Sequence, residues 1–424
     1  MAKKIPYGLT DYVLVMTDNY YYVDKTQYID LLEQTGRFLF LIRPRRLGKS
    51  LFLNMLNCYY DVKYADRFEE LFGNQYIGKH PTAEQGKYLV LRFNFSMVRA
   101  TDDKLEAAFN RHISLETAYF ASVYASYFKP DFQEQLKLIP EAAGRLEYIC
   151  LCAKEQGLSI YLLIDEYDNF TNTILSSKGN DVYHSLTHDS GFYSSFFNVV
   201  KGVTTGAEAP VKRMFITGVS PVTLDDVTSG FNIGTNITTD EQFNSMVGFS
   251  ESELFDMLSY YQSEGMLADP IDDIVRMMKP WYDNYCFAKE CIGQTMYNSD
   301  MVLYFLNNYL QRKRPPSEMV DRNIRTDYSK LRYFIRIDRM QEEGCSVITK
   351  LIDTGEVNGN VIKDSFPAEN LADPGNFTSL LYYFGLLTYD RMEYGETIMK
   401  VPNLAVREQI YSYLVEAMKE RESV

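Results

Sequence analysis

Four short, strongly apolar runs constrain this chain more than any other feature. They are "RFLFLIR" (37–43), "KYLVLRFNF" (87–95), "SIYLLIDEYD" (159–168) and "RMFITGV" (213–219). Each is nearly continuous in apolar character, and a strand reads this way when both of its faces are buried. The segments between them, 50–72, 103–128, 131–156 and 181–202, carry helical periodicity instead. Strands alternating with helices predict an α/β fold, with a parallel sheet flanked by helices, over about the first 245 residues.

The character then changes. "FSESELFDMLSYYQSEGML" opens with Ser250-x-x-Glu253, a capping-box pattern, and continues as an amphipathic helix. Two further helical segments, "PIDDIVRMMKPWYDNYCF" and "NSDMVLYFLNNYLQRKRPP", complete a small helical domain that ends at the basic, proline-containing "QRKRPPSE" (311–318). Beyond it a helix ends at Gly385, strands "LLTYD" and "TIMKVP" flank the turn "MEYGE", and a last helix follows. Helix, hairpin and helix in that order predict a winged-helix-like module. At 424 residues the chain is too long for one compact core. The expected organisation is therefore a core of residues 1–245, a helical lid of 246–315 and a C-terminal module of 316–424.

Between the first strand and its helix lies "IRPRRLGKSL". Backbone N–H groups of such a loop, with the helix N-terminus behind them, form an anion site. The pattern is G-x-x-x-x-G-K-[ST] with its first glycine replaced by Arg43. Lys49 is placed to reach the β- and γ-phosphates of a nucleotide and Ser50 to ligate Mg²⁺. Arg45, Arg46, Leu47, Gly48 and Leu51 complete the cradle. The third apolar run ends in adjacent carboxylates, Asp165 and Glu166. A strand of this kind is expected beside the loop strand, with Asp165 in the Mg²⁺ shell and Glu166 as general base for the attacking water. Thr217, ending the next strand, is placed to bond the γ-phosphate or the lytic water, or else to satisfy loop backbone.

Other chemistry finds little support. A net charge of −14 argues against a broad nucleic-acid surface, which needs clustered Lys and Arg. The six cysteines fit no zinc or redox spacing. His184 and His188 stand at i,i+4 without a metalloprotease motif around them. The N-terminus has no apolar signal region, and no apolar stretch approaches the roughly 20 residues of a membrane span. The expectation is a cytoplasmic protein without a membrane.

The pieces "YYVDKTQYIDLL", "IRPRRLGKSL", "LLIDEYDNF", "FITGVSPV", "WYDNYCF" followed by "YNS", and "SLLYYFGLLTYD" with "VPNLAVRE" resemble the predicted AAA-ATPase-like family of bacterial P-loop ATPases. That family is often joined to a PD-(D/E)xK nuclease-like domain. The chain is also similar to archaeal-type STAND-like ATPases, whose loop reads G-P-R-R-x-G-K-[ST]. The resemblance implies ATP and Mg²⁺ as ligands and places the "YYVDKT" segment, including Tyr22 and Asp24, against the base. It makes the segment around Trp281 a lid, with Tyr282, Asp283 and Tyr285 building its core. The nuclease signature is absent, so no nuclease activity carries over. Binding is expected to survive the loss of the first glycine, with Arg43 placed to crowd the γ-phosphate or lend it charge. Two readings stay open: an ATPase, whose chemistry is often completed by an arginine from a neighbouring subunit (several candidates lie between Arg322 and Arg339), and a nucleotide-binding switch with little turnover that presents a partner surface. DNA engagement is not favoured. ATP is preferred to GTP because the guanine-reading "NKxD" is missing.

Overall fold

A computed structural model describes residues 2–98, 104–178, 180–187, 191–222, 234–321, 346–359, 362–371 and 373–412. The four apolar runs are strands: β1 (Phe38–Ile42), β2 (Leu89–Asn94), β3 (Ile160–Asp165) and β4 (Val211–Gly218). With the short β5 (Thr235–Asn236) they form one five-stranded sheet in the order β2-β3-β4-β1-β5. Every pairing is parallel. Every residue of β3 is buried, as its unbroken apolar run requires.

The strand order corrects one expectation. The carboxylate strand β3 is not beside the loop strand β1, because β4 lies between them and pairs with both. Leu41 of β1 faces Thr217, and Ile164 of β3 faces Ile216. Thr217 therefore sits at the sheet's carboxyl edge between the loop and Asp165. Local sequence carries no record of this order, because it depends on which crossover passes over which strand.

The helical segments break where their chemistry demands. The helix after the loop runs Lys49–Tyr60 and stops at Asp61, whose side chain accepts from the Lys63 N–H to start a 3₁₀ turn. The segment 131–156 divides into Phe132–Lys137 and Ala142–Glu155 around Pro140, which pushes its predecessor out of the helical region. Ser250 and Glu253 form a full capping box at the start of Glu251–Ser263. Helices Ile271–Tyr282 and Ser299–Arg312 pack with it around Leu254, Leu258, Ile274, Met278, Val302 and Phe305, a core of its own.

In the C-terminal part, helix Val347–Thr354, β6 (Glu356–Asn358), helix Pro374–Tyr383 and the hairpin β7 (Thr388–Glu393) and β8 (Glu396–Lys400) follow one another. The strands form an antiparallel sheet in the order β6-β8-β7. Tyr394 and Gly395, both with positive φ (48° and 83°), make the tight hairpin turn. Leu380, Leu381, Tyr382 and Tyr383 join the same contiguous core as the parallel sheet. Among the described residues no helix is long and apolar enough to cross a membrane. His184 Nε2 lies 3.3 Å from a Glu369 carboxylate oxygen, and His188 lies outside the described residues.

Candidate functional site

The loop 43–48 leaves β1 and turns into helix Lys49–Tyr60 through two left-handed residues, Arg46 (φ 65°) and Gly48 (φ 94°). Gly48 is needed at this φ, which side chains resist. Arg43 does not have a positive φ, so nothing in its backbone calls for glycine.

The Arg43 side chain corrects the expectation placed on it. It turns away from the loop into the interior and is fully buried. Its guanidinium donates to the carbonyls of Thr238 and, at 3.1 Å, Phe243, and lies 4.4 Å over the Phe287 ring. Burial holds its pKa down to about 10, against the pull of the nearby Tyr382 and Tyr383. These contacts pin the loop to the chain around 238–243 and to Phe287.

A cavity of about 610 Å³ opens over the loop. It is lined by Arg45 to Phe52 of the loop and helix, by Glu166, Asn169 and Thr173, and by Pro6, Gly8, Leu9 and Thr10 with Tyr21 to Val23 and Lys25. The helical part supplies Met246 to Phe249, Met257, Ser299, Asp300 and Leu303. The volume, and a lining that mixes apolar residues with charged ones such as Arg45, Arg46, Lys49 and Glu166, suit a charged small-molecule ligand.

Lys49 is buried at the cavity floor, its ammonium donating to the carbonyls of Arg43 (2.9 Å) and Pro44 (2.8 Å). Burial lowers its pKa to about 8, while Glu166 and Asp165 pull it upward. Asp165 is fully buried at the end of β3. Burial pushes its carboxyl above the ordinary carboxylate range, against the nearby Ser50 hydroxyl and the Lys49 ammonium. Neither of its oxygens has a hydrogen-bond partner of good geometry among the described residues, and neither does the buried Thr217 hydroxyl. Unpartnered buried oxygens are costly unless something binds them.

Glu166 has a left-handed backbone (φ 50°), rare for a residue with a side chain and common at functional sites. Its carboxylate accepts from the Asn169 amide at 2.6 Å. Behind it, Asp168 is buried and accepts from the N–H groups of Val219 and Ser220 (2.6 Å to the latter), locking the carboxylate turn to the chain after Thr217. Gly218 permits this closeness, since a Cβ there would come within 2.3 Å of the Tyr167 ring.

The structure thus brings Arg45, Arg46, Leu47, Gly48, Lys49, Ser50, Leu51, Tyr22 and Glu166 to one cavity. Asp165 and Thr217 lie buried at the sheet edge. Asp24 stands apart: its carboxylate accepts from Thr26 and from the Tyr76 N–H (2.6 Å), and it does not line the cavity. Trp281, Tyr282, Asp283 and Tyr285 do not line it either. Tyr282 packs in the core of the helical part and Asp283 is buried, whereas Tyr285 belongs to the core around the parallel sheet and not to the helical part. Sequence reasoning missed Pro6, Gly8, Leu9 and Thr10, Met246 to Phe249 and the 2.9 Å ion pair from Arg46 to Asp300. The partners in that pair are 254 residues apart, so no local pattern signals them.

The oxygen donors fit Mg²⁺, which is held through one or two carboxylates plus waters and phosphate rather than a full protein cage. Among the described residues no group of three or more His, Cys, Asp or Glu is arranged to hold a metal ion.

The sequence profile described as predicted AAA-ATPase matches residues 6–228, just over half of the chain. The chain belongs to this family. A curated relative, an uncharacterized protein in the vnfD 5′ region of Azotobacter chroococcum mcd 1, is 26% identical over 315 residues, 72% of this AAA-ATPase-like chain and 52% of the relative. The chain thus spans about half the length of the curated relative it matches. The solved structure of the Aeropyrum pernix ORC1 protein in complex with DNA aligns over 97% of this chain and 98% of that one, at 12% identity and a TM-score of 0.32. A likeness that slight carries no weight for the fold or for DNA.

Proposed function

We propose that the chain binds Mg-ATP in this cavity and hydrolyses it to drive or regulate a conformational change. One observation carries the reading: the loop, Lys49 and Glu166 share a cavity beside two fully buried oxygen groups at the sheet edge, the Asp165 carboxylate and the Thr217 hydroxyl. In this reading the loop N–H groups and Lys49 grip the phosphates, Ser50 and Asp165 hold Mg²⁺, and Thr217 meets the γ-phosphate or the lytic water. Glu166 takes the proton of the attacking water. Mg²⁺ held by Ser50 and Asp165 would supply neutralisation of the charge developing on the phosphate oxygens. The base lies between the N-terminal strip with Tyr22 and the helical part, which serves as lid.

A second reading is a nucleotide-binding switch with little turnover. It is favoured by the way the loop is tied to the rest of the chain. The Leu47 carbonyl accepts from Gly248 (2.8 Å), the Arg46 carbonyl from Asp300 (3.2 Å), and Pro44 packs on Gly385. Movement of the loop is thereby passed to the helical and C-terminal parts. The helix–strand–helix–hairpin order of the latter supports a winged-helix-like module. A protein partner or a second copy suits it better than DNA, because Arg391 and Lys400 of its hairpin are already paired with Glu356, Asp390 and Glu393. The arginines from Arg322 to Arg339, candidates for an arginine finger, lie outside the described residues.

Steady-state hydrolysis and equilibrium binding of Mg-ATP by the purified chain test the proposal. Binding with turnover supports the ATPase; binding without turnover supports the switch; no binding overturns both. A pH dependence is also expected. Lys49 has a pKa lowered to about 8, with Glu166, Asp165, Arg45 and Asp168 as the charges around it. Phosphate favours the protonated ammonium, so above pH 8 binding must take up a proton. Affinity is expected to fall by up to about tenfold per pH unit there and to level off below pH 8. Calorimetry in buffers of different ionisation enthalpy reads the proton uptake directly. An affinity flat from pH 7 to 9 would contradict it.

A further inference from the structure

We propose that Asn169 is a positioning residue for the reaction, holding the Glu166 carboxylate toward the cavity and apart from the Lys49 ammonium. The inference rests on the reading of Glu166 as general base and goes beyond it, because no motif assigns Asn169 a role.

Three observations carry it. Glu166 and Asn169 both line the cavity, and the Asn169 amide donates to Glu166 Oε2 at 2.6 Å. The Glu166 backbone is left-handed at φ 50°, so its side chain leaves the β3 axis at the turn instead of continuing the strand's alternation. Lys49 lies close enough for Glu166 to be the strongest charge acting on it. Yet the two are not ion-paired, and the ammonium bonds the Arg43 and Pro44 carbonyls instead. A carboxylate poised over a cavity with a buried ammonium nearby has an alternative position, a salt bridge to that ammonium. Reaching it would take the base off the water and occupy the cation that grips phosphate. One amide N–H on Oε2 opposes that swing and leaves Oε1 to accept from water.

Asn169 is only half-buried at the start of helix Asn169–Lys178, so its replacement leaves the core intact. The test compares wild type, Asn169→Ala, Asn169→Asp, Glu166→Gln and the Glu166→Gln/Asn169→Ala double variant. It reads kcat at saturating Mg-ATP, affinity for a fluorescent ATP analogue, and thermal midpoint. Asn169→Ala is expected to lower kcat at least about tenfold with affinity within about threefold, because orientation and not binding is lost. Asn169→Asp keeps the shape, removes the N–H and adds a like charge, so it should lose more. In the Glu166→Gln background Asn169→Ala should cost nothing further, since residues acting through one another are non-additive. Full activity in Asn169→Ala, or an equal loss in both backgrounds, would overturn the proposal while leaving the ATPase reading standing. A wild type that binds ATP without hydrolysing it would sink both. Should Asn169→Ala fail to fold, the isosteric Asn169→Asp carries the same comparison.

Discussion

Arg43→Gly, the substitution that completes the phosphate-loop pattern, is expected to destabilise the protein by about 2 kcal/mol or more and to leave nucleotide affinity no better. The loop does not need glycine at 43, because φ there is not positive. What the substitution removes is a fully buried guanidinium and its stacking over Phe287. The Thr238 carbonyl loses its donor, at about 1–3 kcal/mol for a buried unpartnered group, while the Phe243 carbonyl keeps the Met246 N–H at 3.3 Å; the emptied space adds a cavity term of similar size. Relief from burying a charge offsets part of this, which is why the net stays near the low end of the sum. Arg43→Met separates the contributions, since it refills the space without replacing the donors, and should cost about 1–2 kcal/mol. Thermal unfolding of the three proteins checks the order wild type, Met, Gly. A Gly variant as stable as wild type that binds ATP more tightly would mean that Arg43 belongs to the phosphate site.

The same residue shows what a sequence can and cannot say. β1 to β4 were legible because burial on both faces leaves no polar alternation, and the loop was legible because Gly48, Lys49 and Ser50 are adjacent. The two carboxylates stood out because a charge ending an apolar strand needs a reason. The direction of the Arg43 side chain was not legible. It depends on Thr238, Phe243 and Phe287, residues about 200 or more positions away. The strand order was hidden for the same reason, and so was the cavity wall from Met246 to Phe249. Asp24 misled because "YYVDKT" reads as one strip, whereas the chain turns at Thr26 and takes the Asp24 carboxylate to the Tyr76 N–H. Gly385, by contrast, was placed as a helix stop, and its φ of 75° fits; its second use, admitting the Pro44 ring against the backbone, required the fold.

Lys49→Ala and Glu166→Gln are expected to separate binding from chemistry. Lys49 is a buried cation whose proton is held against desolvation by Glu166 and Asp165. A ligand phosphate would replace the Arg43 and Pro44 carbonyls with a full negative charge, a far stronger partner for an ammonium. Losing one side of such a buried charged contact costs about 2–5 kcal/mol, so Mg-ATP affinity should fall by a factor of roughly 30 to several thousand. Removing the ammonium also spares the free protein the cost of burying it, so the thermal midpoint without nucleotide should hold or rise. Glu166→Gln keeps the shape of the side chain but cannot accept the proton of water. Turnover should fall by about 10²–10⁴, the range for loss of a general base, with affinity within a few-fold of wild type. The opposite pattern, affinity lost with Gln and turnover alone lost with Ala, would reverse the two roles. Unchanged turnover in Glu166→Gln would move the base elsewhere, and with it the reason for the left-handed turn that puts this side chain over the loop.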